Sequence, residues 1–170
     1  TNVMGNYGNV DLSLSLNEIP VYDDITIGFD LYIIDSMDGS GWGNSNDYIS
    51  FILNNSTLLF TSFCNNSAGS QCYPDNCPAQ NPMYYTAIQT NLPSVYYSSW
   101  GNKGSLYRIE LTTNQYSEDL NFTISPDLDE CPDGVMICTN ESWGIDNLLI
   151  TVNVAIDGCT DSYASNFNEE

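Results

Sequence analysis

Apolar and polar residues alternate along much of this chain. Leu12, Leu14 and Leu16 are spaced by Ser13 and Ser15, and Ile25, Ile27, Phe29, Leu31 and Ile33 by Thr26, Gly28, Asp30 and Tyr32. The same pattern returns at Ile49, Phe51 and Leu53, at Tyr107, Ile109 and Leu111, and at Leu120, Phe122 and Ile124. It closes with Leu148, Ile150, Val152, Val154 and Ile156. Alternation of this kind turns one side of each segment toward a core and predicts antiparallel strands. No stretch keeps a helical period. Gly, Asn, Asp, Ser and Pro fill the gaps, so the pattern predicts an all-β antiparallel sandwich with a core about 10 Å thick.

Two segments leave the pattern. Residues 64–104 hold three of the six cysteines, four of the seven prolines and many small polar residues. They read as a disulfide-stapled insertion with short strands at most. This insertion also carries Tyr84, Tyr85, Tyr96, Tyr97 and Trp100, aromatics that either stack on sugar rings, make a protein contact, or cover an edge of the sandwich. Residues 157–170 read as a tail or the start of a further unit, which leaves 1–156 as the sandwich domain.

The cysteines are Cys64, Cys72, Cys77, Cys131, Cys138 and Cys159. Short loops and the absence of His favour disulfides in an oxidising compartment over zinc. Cys72 with Cys77 and Cys131 with Cys138 are the natural local pairs. Five Asn-x-Ser/Thr sequons mark Asn54, Asn55, Asn65, Asn121 and Asn140 for N-linked glycans, whose attachment requires exposed amides. Together they predict a secreted glycoprotein at the cell surface. The chain opens on Thr1, which reads as a processed product or part of a longer polypeptide.

Charge narrows the partners. Two basic and 22 acidic residues give a formal charge of −20. Such a surface repels nucleic acid and anionic lipid and attracts divalent cations. No apolar run reaches the roughly 18 residues of a membrane span.

Three stretches, taken together, resemble a jelly-roll module of secreted and surface proteins, in the manner of concanavalin A-like and MAM-type sandwiches. "MGNYGNVDLSLSLNEIPVYDDITIGFDLYIIDSMDG" is similar to its opening, with Met37 where the module has Trp. "GSLYRIELTTNQYSEDLNFTISP" is similar to its central hairpin and "ESWGIDNLLITV" to its closing strand. The resemblance covers roughly residues 4 to 156 and implies an antiparallel jelly roll. It implies little about function, because one fold hosts many tasks. "GCTDSYASNFNEE" is similar to the first half of an extracellular Cys repeat. That resemblance implies that Cys159 pairs either beyond residue 170 or with Cys64.

The turn "DSMDGSGWGNSNDYISF" at 35–51 concentrates oxygen ligands. Asp35, Asp38 and Asp47, helped by Asn44 and Asn46, suit Ca²⁺, although the order is not that of an EF-hand. In the jelly roll implied above, the closing strand brings Asp146 beside them. The first reading is a structural turn, in which Asp35 and Asp146 cap through backbone N–H groups; a Ca²⁺ ion that hardens it is the second. Catalysis finds no footing: no His builds a triad, and the acids of "DLDE" at 127–130 read as a loop rather than a glycosidase pair. The expectation is an extracellular structural module, self-associating or bound to other surface proteins in a filament, fibril or matrix. The alternative is a carbohydrate-binding or adhesive module, with Ca²⁺ as a cofactor in either case.

Overall fold

The computed structural model describes residues 3–40, 47–65, 70–78, 86–93, 103–138 and 140–154. Among them every regular element is a strand: β1 (Met4–Tyr7), β2 (Leu12–Leu16), β3 (Asp24–Asp35), β4 (Tyr48–Leu53), β5 (Ser56–Ser62), β6 (Gln89–Pro93), β7 (Lys103–Thr113), β8 (Leu120–Asp127) and β9 (Glu141–Asn153). They form a five-stranded sheet in the order β1-β9-β3-β7-β6 and a four-stranded sheet in the order β2-β8-β4-β5. All strand pairings are antiparallel. With β6 set aside as an added edge, the chain crosses between sheets in the jelly-roll path, and the sandwich expected from the alternation is the fold observed. None of its helices is long and apolar enough to cross a membrane, because the described residues contain none.

The alternating positions face inward as the pattern requires. Ile25, Ile27, Phe29, Leu31 and Ile33 of β3 meet Ile49, Phe51 and Leu53 of β4 and Leu120, Phe122 and Ile124 of β8, all buried. Phe29 stacks obliquely on Phe51 and Phe122, with ring centroids 5.5 and 6.0 Å away. Each such ring contributes roughly 1.5–3 kcal/mol on burial. Met37 is fully buried and belongs to the same core.

Three strands escape the alternation: β1, β5 and β6. In β5, Leu58, Leu59 and Phe60 are consecutive, so no clean period appears. The closing strand also begins earlier than its clearest alternation. Trp143 and Ile145 face the core, then the phase shifts: Ile150 and Val152 pack against it half-buried, while Leu148 stays exposed and Val154, in the same expected stripe, is exposed as well. A register shift opposite Gly28–Asp30 produces the change, with Asn147 in the left-handed region at φ 54°.

Buried polar side chains lock the connections. Asn9 donates to the carbonyls of Leu128 and Cys131 at 3.1 and 2.9 Å and accepts from the Leu128 amide at 3.0 Å. Trp143 Nε1 donates to the Gly8 carbonyl at 3.0 Å. The Tyr107 hydroxyl donates to the Cys64 carbonyl and to Gln71 Oε1, at 2.6 and 2.8 Å, and pins the start of the insertion to the core.

The two flanks of the sandwich differ. On one, the disulfide Cys72–Cys77 closes a loop against the β5 edge. There the Phe60 amide donates to Asn76 Oδ1, and the carbonyls of Phe60 and Ser62 accept from the Cys77 and Tyr73 amides. On the other flank the edges are β1 and β2, paired on one side only with β9 and β8.

Candidate functional site

Three places concentrate unusual chemistry: an acid cluster at one end of the sandwich, a groove on the outer face of the five-stranded sheet, and the β1–β2 flank.

The acid cluster arises because carboxylates occupy inward-phase positions. Asp47 is two residues before Ile49 in β4, and Glu141 is two before Trp143 in β9, so both side chains turn toward the core. Both are buried, at 0% and 1% exposure. Asp129, exposed on the loop after β8, joins them, with one oxygen of each of the three lying within 4.8 Å of the others. Backbone donors hold the group. The Asp38 amide donates to Asp47 Oδ2 at 2.9 Å and the Glu130 amide to Glu141 Oε2 at 3.0 Å. Asp38 Oδ1 is buried there with no hydrogen-bond partner.

Electrostatics follow from crowding. Burial, followed by the Asp47 charge, pushes the Glu141 carboxyl up to about 9. Burial also pushes Asp47 up to about 6, against the Asp38 amide and the Glu141 hydrogen bond, which lower it. Asp38 is raised by burial and by the charges of Asp129 and Glu130. Two buried carboxyl groups in hydrogen-bonding contact need a shared proton or a cation between them. The oxygen set suits Ca²⁺, which takes six to eight ligands at about 2.3–2.6 Å.

The structure therefore redraws the expected ligand set. Asp38 and Asp47 come together, and Asp129 and Glu141 complete the group. Asp35 pairs across β3–β9 with Glu141 and sits at the same end. Asp146 does not join them: it lies opposite Asp30, five residues along β9 from Glu141, about 16 Å away at strand rise. The reason is the strand's own length between Glu141 and Asp146; at its place Asp146 Oδ1 accepts from the Asn147 amide at 2.8 Å, in the turn-capping role weighed above. Asn44 and Asn46 lie outside the described residues. An acid in the inward phase is the sequence signal for Asp47 and Glu141; no such signal marked Asp129.

The groove lies on the opposite side of β3 from the core. Its cavity is about 360 Å³, lined by Thr26, Gly28, Arg108, Glu110, Asn147 and Leu149 among others. Asp30 sits at its head with a nearly buried carboxylate. One oxygen accepts from Arg108 Nε and the other from Asn147 Nδ2, the latter at 2.7 Å. The Arg108 side chain is 59% exposed. Gly28 leaves the floor open, since a Cβ there would meet nothing nearer than 3.8 Å.

The β1–β2 flank has an apolar slot of about 130 Å³ between the sheets, lined by Met4, Leu12, Ser13, Leu14, Phe122, Ile124, Ile145 and Leu148. Met4 and Leu148 are 55% and 39% exposed.

The remaining candidates divide. Cys72 and Cys77 are bonded as the spacing suggested. Cys131 and Cys138 face each other as hydrogen-bonded thiols, with burial holding Cys131 up to about 12. Cys64 is buried, and Cys159 lies outside the described residues, as do Tyr84, Tyr85, Tyr96, Tyr97 and Trp100. Among the sequons, Asn55 and Asn121 are exposed on the β4–β5 turn and the outer face of β8. Asn54 donates to the Asp119 carbonyl at 3.1 Å, and Asn140 lies 3.4 Å from Glu130 Oε2. Asn65 departs from the expectation of an exposed amide. Its Nδ2 donates to the Asp35 carbonyl at 2.8 Å and its Oδ1 accepts from Ser105, so folding turns it inward.

The chain matches no family model, and no curated protein matches it in sequence. Among solved structures it is similar to the EclA C-terminal domain, a sugar-binding protein, at 9% identity and a TM-score of 0.42, over 89% of this chain and 78% of that one.

Proposed function

We propose that this chain is an extracellular structural glycoprotein module, a building block of a surface filament, fibril or matrix. The observation that carries this reading is the β1–β2 flank. Proteins that work as monomers cover or blunt their sheet edges. Here the β5 edge is covered by a disulfide loop, whereas among the described residues the β1–β2 flank leaves the edges of both sheets and an apolar slot between them open, on a chain of charge −20. Cysteines and sequons support a secreted setting, and Asn55 and Asn121 are the positions best placed for glycans.

In this reading Ca²⁺ is a structural cofactor. Asp47, Glu141, Asp129 and Asp38 would hold it, joining the β3–β4 connection, the loop after β8 and the start of β9. Electron microscopy of native surface material, with and without a calcium chelator, tests the proposal. Ordered filaments with glycan density at Asn55 or Asn121 are expected, loosening on chelation. Single molecules scattered on the surface would count against it.

A second reading, sugar binding, is favoured by the groove. Arg108 offers terminal N–H donors, Glu110 an acceptor and Leu149 an apolar wall. The volume of about 360 Å³ lies in the range of small-ligand sites. Gly28→Val would fill the floor without disturbing the strand, because the space at Gly28 is open. Binding of a neutral oligosaccharide on a glycan array, abolished by Gly28→Val, is the result this reading requires; an array without binding removes it.

A further inference from the structure

We infer that the β1–β2 flank is a two-fold contact, occupied by the same flank of a second copy. The inference rests on the structural reading above and names the partner at this flank: a two-fold contact closes on itself, so it makes the pair that serves as the building block and not the repeat that lengthens a filament.

Hydrogen bonding comes first. Among the described residues β1 and β2 each pair with one neighbour only, which leaves the outer row of N–H and C=O groups of each without a strand partner. Another strand is the partner that satisfies a whole row of such groups. Two edges stand side by side here, one per sheet, separated by the thickness of the core. A lone peptide can extend one of them. A second sandwich with the same edge spacing extends both together, and the surface best matched in spacing is this flank itself.

Charge selects the same partner. None of the residues lining the slot is ionisable. Elsewhere a chain carrying 22 acids and two basic residues meets its copy with like charges. Along the slot that repulsion is least, and burying Met4, Leu12, Leu14 and Leu148 is favourable. The leucines of β2 are only half buried in the single chain. Met136 and Ile137, 61% and 63% exposed, extend the apolar surface beside the end of β1, where the Gly8 amide donates to the Met136 carbonyl.

On the other flank β6 is open on one side among the described residues but β5 is not, and the cover on β5 decides the symmetry. Head-to-tail pairing would set β2 of one copy on β5 of the next. The Phe60 and Ser62 groups of β5 are already taken by Tyr73, Asn76 and Cys77. An antiparallel two-fold pairing, β1 on β1 and β2 on β2, leaves that loop in place.

The contact is small. A five-residue edge spans about 17 Å, which places the interface at the low end of specific ones and its Kd on the order of 10–100 μM for separate chains. Sedimentation velocity of the 170-residue chain, from about 5 μM to about 500 μM, brackets that range. The expected result is a monomer–dimer equilibrium. Met4→Asp with Leu148→Asp should weaken it at least tenfold while far-UV circular dichroism and Tm stay as in the parent. Ile88→Asp, at an exposed residue just before β6, should leave it unchanged.

A chain that is monomeric throughout, or a dimer broken by Ile88→Asp and not by the flank pair, overturns the inference. If native filaments are present in either of those cases, the structural reading survives without this contact. If native material shows no assembly of any kind, that reading fails by its own test.

Discussion

Glu141 is where sequence, burial and chemistry meet most sharply. Its carboxyl is held at about 9 against an ordinary 4.5, and Asp47 at about 6 against 3.8. Both are acids raised on folding, so the folded chain keeps protons that the unfolded chain has released. The stability they add is full below the unfolded values and is lost as pH rises through the folded ones. In chelator, the loss between pH 5 and 9 should be several kcal/mol, on the order of 6 if the two groups titrate independently, read from urea midpoints. Glu141→Gln imitates the protonated form, since its amide can donate to Asp47 while its oxygen accepts from Glu130. It should stabilise the chain by about 2 kcal/mol at pH 8 in chelator and flatten the pH profile. A variant as pH-dependent as its parent would show that the proton is shared elsewhere.

A second residue-scale constraint is Gly39. Its φ is +81°, and an added Cβ would fall 2.2 Å from the Ser70 carbonyl oxygen. Ser70 backbone contacts fix the insertion to the turn, with the Ser40 amide donating to its carbonyl at 2.9 Å. Gly39→Ala combines left-handed strain with a backbone clash and should cost about 2–4 kcal/mol in chemical denaturation. A cost near zero would mean that the turn can move off Ser70.

Among the elements, the loop closed by Cys72–Cys77 does more than shorten the unfolded chain. Replacing both cysteines with Ala should remove about 2 kcal/mol by loop entropy. It should also free the β5 edge, whose Phe60 and Ser62 groups the loop occupies. Light scattering should then report concentration-dependent aggregation that the parent chain lacks. Loss of stability without aggregation would show that β5 stays covered. This is also the scale at which the sequence was most and least legible. β2, β3, β4, β7 and β8 follow directly from period-two alternation, because over most of their length one face is turned to the core and the other away from it. β5 hides because Leu58, Leu59 and Phe60 are consecutive, and its outer side is covered by the insertion. The first half of β9 hides behind a bulge: Trp143 and Ile145 are in one phase, Leu148 and Ile150 in the other. Asp146 lies away from the acid cluster because five residues of extended strand separate it from Glu141. The cluster itself was half legible. Asp38 and Asp47 come from one turn, whereas Asp129 and Glu141 join it through tertiary packing that no local spacing reveals.

At the scale of the whole molecule, one quantity bears on both the acid cluster and the flank. A charge of −20 on 170 residues makes self-repulsion a cost of folding and of association alike. Screening and specific binding relieve it differently, and this difference can be measured. Raising NaCl from about 10 mM to about 300 mM shortens the Debye length from roughly 30 Å to below 10 Å. The melting temperature should rise by several degrees, and equally in the parent and in Glu141→Gln, because the screened charges are spread over the surface. With NaCl fixed at the higher level, millimolar Ca²⁺ should raise the melting temperature of the parent further and leave Glu141→Gln where it was. Mg²⁺ should do less, since it demands a tighter octahedron and gives up water reluctantly. Equal responses to Ca²⁺ in both proteins would assign the effect to diffuse counterions and remove Asp47, Asp129 and Glu141 as ligands. A response confined to the parent would place one cation where three separate segments of the chain converge.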